Sequence, residues 1–350
     1  MTETFESPLF TTLGMAIIDD IMPAPGSDMA PMTDVIGGAG TYALVGARIV
    51  VGPRHSRLVS GIIDKGSDFP VKVEREIKEW NTGVKWNNDG SRLTTRGINF
   101  YGEDGVRSFE YKTSRKVLVA EDLIEDPVLK NSKSVHIISI FERCNDMVET
   151  ISQHRDSNSP IYIYEPLPDA CVESNFGVLK KVLPKIHVFS PNLHEACGLL
   201  GISDKISAIE DAEAIASRFL SLMEPSKACV VIRCGKMGCH VKTRHHSVVY
   251  PAFHTDQSKV VDETGGGNSF CGAFVTALVQ SNFDYMYAAV CASIVSGCVI
   301  ESFGMPKLSV EAGVEKWNGL SYVDRIRQYV KSVGHNVCPE DIVSRYLVDY

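Results

Sequence analysis

A glycine-rich turn supplies the strongest chemical signal in the sequence. It covers residues 260–270, reads VVDETGGGNSF, and leads directly into the apolar, helix-forming stretch 271–279. Free N–H groups at a helix N-terminus form an anion site, and glycine lets the backbone approach a phosphate closely. We therefore predict that Gly265, Gly266 and Gly267 hold a phosphate. A flexible glycine turn is the alternative interpretation.

Alternating strand and helix patterns indicate the scaffold that must position this turn. Short β-branched runs alternate with helical periodicity, which is typical of parallel βαβ units. Apolar and polar residues interleave over 92–111 around a Gly102–Gly105 turn, which predicts an exposed hairpin, and the proline-rich stretch 22–34 predicts a loop beside it. The predicted strands are 12–18, 135–140, 161–164, 187–190 and 229–233, and the clearest predicted helix is 208–223.

The composition excludes several classes of protein. The chain has 350 residues and a formal net charge of −8, which argues against a general binder of nucleic-acid backbones. The uncharged run 285–300 is shorter than the roughly 18 residues of a membrane span and predicts a buried helix. Ten cysteines lie without paired spacing and no signal-like segment precedes them. We expect a cytoplasmic protein, with nuclear entry left open, and no membrane partner.

The glycine turn and several elements in matching order resemble the PfkB, or ribokinase-like, family of sugar and nucleoside kinases. The signature of that family runs Asp-Thr-x-Gly-Ala-Gly-Asp, and this chain carries the Gly-Gly-Gly-Asn variant that resembles fungal PfkB-like proteins. The resemblance covers about residues 10–331. It implies an α/β fold of three layers, α/β/α, with a central mostly parallel sheet and a small β lid. It also implies ATP and Mg²⁺ as cofactors and a small sugar or nucleoside as the substrate.

The resemblance places the general base of the family at Asn268. An amide cannot take a proton from a hydroxyl at neutral pH, and the loss of a general base costs about 10²–10⁴-fold in rate. Phosphoryl transfer depends largely on positioning and charge stabilisation, so residual activity is compatible with this change. The sequence therefore predicts a weakened kinase. The alternative is a non-catalytic protein that binds nucleotide or sugar and acts as a sensor or scaffold.

Two acidic residues are expected to contact the phosphoryl acceptor. The stretch 14–20, GMAIIDD, resembles the first strand of the family, which directs the carboxylate of Asp19 at acceptor hydroxyls. A carboxylate at the end of a strand is well placed for this contact, although a turn or cap role is the alternative. Glu142, after the strand at 135–140, lies near where some sugar kinases contact their acceptor.

A second glycine segment is expected to complete the acceptor site. Residues 37–43, GGAGTYA, resemble the diglycine segment of the family, which places Gly37 and Gly38 beside the acceptor hydroxyls. Tyr42 stands where many members have Asn, and its ring would narrow or reshape the pocket. A helix N-terminus packed by glycines is the alternative.

Asn192 and Glu195 match the Asn-x-x-Glu element that organises Mg²⁺ and its water in the family. Oxygen ligands suit Mg²⁺, which keeps much of its hydration shell and is often held indirectly. The same pair could instead be the N-cap and capping box of the following helix. The position between a predicted strand and a helix, before the glycine turn, fits both interpretations.

Two further motifs resemble binding elements for the nucleotide and for a monovalent cation. Gly235, Lys236 and Gly238 resemble the turn that lies near the nucleotide phosphates, and a turn joining two strands is the alternative. Asp262 and Thr264 match positions that bind an activating monovalent cation such as K⁺ in many relatives. They could equally cap the helix that follows.

The domain organisation follows from the extent of the resemblance. We predict one kinase domain over residues 8–331 and a C-terminal extension over 332–350. The lid would be formed by residues about 20–35 and 92–115. Some family members pair through their lids, so a homodimer through this part is a further expectation.

Overall fold

The computed structural model describes residues 6–102, 107–155, 159–203, 209–333 and 342. Within them, fifteen strands and ten α-helices are defined. The strands β1 to β15 are Phe10–Thr12, Ile17–Met22, Met32–Gly37, Val59–Gly66, Lys85–Asp89, Arg96–Tyr101, Arg107–Tyr111, Ser134–Ser139, Ile161–Pro166, Val188–Phe189, Cys229–Arg233, Cys239–Thr243, Ser247–Tyr250, Leu308–Glu311 and Val314–Trp317. The helices α1 to α10 are Ala39–Val51, Val71–Glu79, Ala120–Ile124, Phe141–Gln153, Phe176–Val182, Leu193–Leu199, Ala212–Leu220, Gly266–Gln280, Tyr285–Val299 and Tyr322–Val333.

A nine-stranded sheet forms the middle of the molecule. Its strand order is β13-β12-β11-β10-β9-β8-β1-β4-β5. The pairs from β11 to β5 are parallel, while β12 and β13 add an antiparallel edge. The carboxyl ends of neighbouring parallel strands therefore meet along one edge, where open α/β sheets bind their ligands.

Both faces of this sheet are buried under helices. Along β11, Val230 and Ile232 join one hydrophobic core and Cys229 and Val231 join the other, because successive strand residues point to opposite faces. One core is completed by α1, α8, α9 and α10, and the other by α3 to α7. The predicted three-layer α/β/α architecture with a mostly parallel sheet is confirmed.

A separate four-stranded sheet, with strand order β3-β2-β6-β7, is called the small sheet below. It holds the segments that we assigned to a lid. The prediction of one strand over 12–18 was wrong, since the chain leaves the central sheet after Thr12 and enters the small sheet at Ile17. A Cβ at Gly14 would lie 2.7 Å from Gly40, so this crossing depends on close backbone packing that a β-branched pattern does not report.

The remaining element predictions have mixed outcomes. The buried helix at 285–300 is confirmed as α9, and the hairpin at 92–111 is confirmed as antiparallel β6 and β7, with most of its Gly102–Gly105 turn outside the described residues. The predicted helix 208–223 begins outside the described residues and is shorter within them, because a 3₁₀ turn precedes α7. The loop at 22–34 ends early at β3. Most of the 332–350 extension lies outside the described residues, and within the described part no helix is long and apolar enough to cross a membrane.

Two central helices pack with almost no side chain between them. A Cβ at Gly46 of α1 would overlap the carbonyl of Ser269, and a Cβ at Gly272 of α8 would overlap the carbonyl of Ala43. The helix backbones therefore touch, as glycine at a helix interface permits. This contact fixes the N-terminus of α8 beside the N-terminus of α1.

Candidate active site

The glycine turn begins α8 in the geometry that its sequence demands. Gly265 is the N-cap of α8 with φ of +78°, a left-handed conformation that favours glycine. A Cβ at this position would also overlap the ring of Tyr42. Tyr42 is only 3% exposed, so its ring forms a fixed wall on one side of the turn. The structure thus brings together the two glycine segments that the sequence singled out.

Asp19 lies in the small sheet as a buried carboxylate with spare acceptor capacity. Its Oδ1 has no hydrogen-bond partner among the described residues. A Cβ at Gly37 would overlap this carboxylate, so the glycine is required for the chain to pass it. Burial raises the pKa of Asp19 to about 6, although Asn99 and Arg107 lower it. A buried oxygen without a donor is suited to accept a hydroxyl from a ligand.

Arg107 is a cation at this end of the site that the sequence analysis missed. Its guanidinium donates to Asn99 Oδ1 at 2.9 Å, and its charge acts on both Asp19 and Tyr42. It lies at the start of β7, on the exposed hairpin. The signal available in the sequence was a basic residue within a predicted hairpin, which ordinarily indicates solvent exposure.

The nucleotide-binding candidates converge on a cavity of about 210 Å³ on the other side of the turn. Gly266 and Gly267 of the turn line it, together with Asn192 and with the predicted phosphate-binding turn. Its apolar wall is formed by Phe253, Phe270 and Ile300. The other lining residues are Arg233, Gly235, Lys236, Gly238, Ala252, His254, Gln257, Val260, Glu263, Ser293, Ser296 and Gly297. Sequence reasoning missed most of the side chains from 252 onward, because no motif marks them.

Asn268 is tied to a buried carboxylate that the sequence did not single out. Its Nδ2 donates to Glu165 Oε2 at 2.9 Å. Since a carboxylate only accepts, this bond fixes the amide orientation and leaves Asn268 Oδ1 as the group able to accept from a ligand. The amide therefore orients a hydroxyl but cannot deprotonate it.

Glu165 does not replace the missing base. Burial would raise its pKa, but Arg233, His136 and Asn268 hold that pKa at about 2. The Arg233 guanidinium lies 2.9 Å from Glu165 Oε1, and His136 Nε2 lies 3.3 Å from Oε2. A carboxylate this well satisfied is a poor proton acceptor near neutral pH.

Asn192 and Glu195 form the capping box that was the alternative to a metal site. Asn192 Oδ1 accepts from the Glu195 N–H at 2.8 Å. Glu195 in turn accepts from the Asn192 backbone N–H and from its Nδ2, both at 2.7 Å. Each carboxylate oxygen of Glu195 is therefore already bonded, and the Arg233 guanidinium lies 3.5 Å from one of them. The bonds to Asn192 and the nearby guanidinium weigh against Mg²⁺ at Glu195, because they occupy part of the acceptor capacity that the ion or its water would need.

Comparison with known proteins identifies the family. A family model described as "pfkB family carbohydrate kinase" matches residues 78–310. The chain belongs to the PfkB family. It is 36% identical to Protein MAK32 of Saccharomyces cerevisiae over 95% of this chain and 94% of that protein. Among solved structures, it resembles a ribokinase from Giardia lamblia, with TM-score 0.67, 19% identity and coverage of 85% of this chain and 94% of that one. A ribokinase II candidate from Escherichia coli in complex with ATP and Mg²⁺ matches with TM-score 0.64, 17% identity and coverage of 85% and 94%.

The remaining positions matched to the PfkB signature are placed differently. Asp262 is buried, its Oδ1 accepts from the Thr264 N–H at 3.0 Å, and its charge acts on Asp19. The bond closes a local turn before α8, and the helix itself begins at Gly265 without a side-chain cap, so the capping alternative is not met. Thr264 Oγ1 lies 3.4 Å from the hydroxyl of Tyr101. Glu142 is exposed in the first turn of α4, and among the described contacts none joins it to Asp19 or Asn268.

Proposed function

We propose that this chain binds ATP in the cavity beside the glycine turn, binds a small sugar or nucleoside at Asp19, and transfers the γ-phosphate slowly. One observation carries the proposal. The glycine turn touches Tyr42 on the Asp19 side through Gly265 and lines the cavity through Gly266 and Gly267. A phosphoryl group held at the N-terminus of α8 would therefore face both ligands.

The roles of the side chains follow from their chemistry. Asp19 Oδ1, with Gly37 and Gly38 beside it, would accept acceptor hydroxyls, and Tyr42 would limit the size of the acceptor. Asn268 Oδ1 would orient the attacking hydroxyl without taking its proton, which must pass to solvent or to the transferred phosphoryl oxygen. Gly265 to Gly267 would stabilise the charge on the phosphoryl group.

The cofactors of the proposal have unequal support. ATP is supported by the cavity and by the resemblance to the ATP-bound Escherichia coli structure. Mg²⁺ at Asn192 and Glu195 stays a prediction from the sequence, and the bonds described above weigh against it. K⁺ at Asp262 and Thr264 also stays a prediction.

A second candidate function is a non-catalytic sensor or scaffold that binds nucleotide or sugar. The bond from Asn268 Nδ2 to Glu165 favours it, because the residue in the base position is engaged in a structural network. In this version the ligands bind and no phosphate moves.

The test is γ-phosphate transfer from ATP to pooled sugars, polyols and nucleosides by freshly prepared wild type and Asn268→Asp. We expect slow transfer by wild type and a gain of up to about 10²-fold in the variant, because a carboxylate restores a base, while the lost bond to Glu165 and the repulsion between the two carboxylates reduce the gain. Asn282→Asp, just after the C-terminus of the same helix, is the matched control and should leave the rate of phosphate transfer unchanged. Intact mass must exclude deamidation of Asn268.

The two candidates separate in this assay. Transfer by the Asp variant alone would favour the sensor or scaffold, since the site would be retained without its base. Absence of phosphate transfer by both proteins, while both still bind ATP, would reject the kinase proposal. Failure of both to bind ATP would reject the nucleotide site as well.

We also propose a homodimer through the small sheet and a cytoplasmic location. All five residues of the edge strand β7 are exposed, including Phe109 and Tyr111, and such an edge can pair with a second copy. The nine described cysteines are free thiols, as the reducing cytosol permits. Sedimentation of wild type and Phe109→Ser tests the dimer, which the serine should weaken.

A further inference from the structure

The phosphate end of the cavity carries its own fixed cation. Arg233 ends β11 and lines the cavity beside the glycine turn. Its side chain is 13% exposed, which is unusually buried for a guanidinium. Burial would lower its pKa, but Glu165 and the other anionic neighbours raise it above the ordinary value. Arg233 is therefore a permanent positive charge at this position.

Three anchors hold the guanidinium in place. Glu165 lies 2.9 Å from one terminal nitrogen, while the carbonyl of Ser190 at 3.1 Å and Glu195 at 3.5 Å contact the other. The Nε of Arg233 is buried and has no hydrogen-bond partner among the described residues. A buried donor without a partner is costly, so the guanidinium depends on its three anchors to hold this position.

The guanidinium also lies against the first turn of α8. A Cβ at Gly267 would overlap a terminal nitrogen of Arg233. Lys236 brings a second cation to the same cavity. The free N–H groups of a helix N-terminus and two cations thus face one space, which is a combination suited to phosphate groups.

We infer that Arg233 supplies the positive charge that a divalent metal would otherwise bring, so that this site binds the phosphates of ATP without Mg²⁺. The inference rests on the proposed ATP site and specifies the form of nucleotide that it takes. The two nearby carboxylates are engaged by the guanidinium, so a metal would have to displace it or bind beside a like charge. Metal-free ATP carries more negative charge than its magnesium complex, and a site with built-in cations favours the more anionic form.

The test measures ATP binding by calorimetry with excess MgCl₂ and with EDTA. We expect the Kd of wild type for ATP in EDTA to be no more than about threefold higher than its Kd in MgCl₂. Arg233→Met keeps much of the volume but removes the charge, and it should lose at least about tenfold in EDTA, because charge-assisted hydrogen bonds are lost. Arg233→Lys keeps the charge and should retain binding in EDTA, which guards against a loss caused by misfolding. Arg244→Met, on an exposed bend after β12 at the opposite end of the strands from Arg233, is the matched control.

A titration with Mn²⁺ alone, followed by electron paramagnetic resonance, gives a second readout that needs no nucleotide. Wild type should not bind the ion at this site, whereas Arg233→Met leaves Glu165 and Glu195 without their cation and should gain binding. ATP binding that requires MgCl₂, or metal-free binding that survives Arg233→Met, overturns the inference while the proposed function stands. Absence of ATP binding under both conditions overturns the proposed nucleotide site and the inference together.

Discussion

Two buried carboxylates in the same site have opposite electrostatic environments. Asp19, on the side of the small sheet, has an oxygen without a hydrogen-bond partner and a pKa raised to about 6. Glu165, at the end of β9, is engaged by Arg233, His136 and Asn268 and has a pKa lowered to about 2. At Asp19 burial outweighs the hydrogen bond from Asn99 and the charge of Arg107, whereas the partners of Glu165 outweigh its burial.

This difference separates a ligand-binding group from a structural one. A buried carboxylate with an unpartnered oxygen destabilises the empty protein, and a ligand hydroxyl can relieve that penalty. A carboxylate that is already satisfied contributes to the stability of the fold and gains little from a ligand. Asp19 therefore has bonding capacity left for a ligand, whereas the contacts of Glu165 are supplied by other residues of the chain.

The largest effect should follow from removing the charge of Glu165. Glu165→Gln leaves the buried Arg233 with a weaker partner and should lower the free energy of unfolding by about 3–5 kcal/mol at pH 7. Because the folded-state pKa is lowered, the contribution of Glu165 is present above about pH 4.5 and is lost as the pH falls toward 2. Urea denaturation measures both. Glu110→Gln on exposed β7 is the control, and a loss under about 1 kcal/mol for Glu165→Gln would contradict the structural role.

The opposite sign is expected at Asp19. A pKa raised from 3.8 to about 6 corresponds to a penalty of about 3 kcal/mol when the carboxylate is charged. Asp19→Asn should therefore raise the free energy of unfolding by up to that amount at pH 7, in the absence of ligand. The gain should shrink as the pH falls through 6 and vanish near 4, because the wild-type group is then neutral. A pH-independent difference in urea denaturation would refute this explanation.

A smaller effect should come from the contact that joins the two sides. Gly265→Ala places a methyl group in the left-handed region and against the Tyr42 ring. Gly313→Ala has nearly the same φ, +79°, with no atom within 4 Å, so it reports the backbone strain alone. We expect Gly265→Ala to cost about 1–3 kcal/mol more than Gly313→Ala in thermal denaturation. Equal losses of stability in the two variants would mean that the Tyr42 ring moves aside for the added methyl group.

The smallest effect concerns the electrostatics of Asp19 itself. Arg107 lowers the pKa of this carboxyl, against the larger effect of burial. Arg107→Met should therefore move the pH midpoint seen with Asp19 upward, by less than burial does. Arg115→Met, on the same surface beside Tyr111, should leave the midpoint in place. A downward shift with Arg107→Met would contradict the assigned geometry.

Local patterns predicted the features that depend on neighbouring residues. The glycine turn before α8 and the capping box of Asn192 and Glu195 are defined within a few residues, and the sequence indicated both. The strand pattern around Val135–Ile140 and Cys229–Arg233 was equally readable, because buried parallel strands form apolar runs. The exception is 12–18, where a glycine contact across the chain divides an apparently continuous strand between two sheets.

The sequence could not reveal the network that decides the chemistry. Glu165 and Arg233 meet because β9, β10 and β11 are adjacent in the sheet, and no spacing along the chain reports that adjacency. The available signal was a charged residue at the end of an apolar strand, in IYIYE and again in CVVIR. Such a residue marks the edge of the sheet where ligands bind, but only the fold shows which charges face each other.

The backbone contact between α1 and α8 has a mechanical consequence. Because glycine lies on both sides of this contact, no side chain can repack there, and we expect α1 and α8 to move as one rigid unit. The N-termini of these helices carry the glycines proposed to bind the acceptor and the phosphate. Distances between α1 and α8 should be the same with and without bound ligand. We therefore expect ligand-dependent movement in the small sheet, whose strands lie outside this helix contact. Ligand-induced protection from hydrogen exchange should concentrate in the small sheet, and the amides of α1 and α8 should exchange equally slowly with and without ligand.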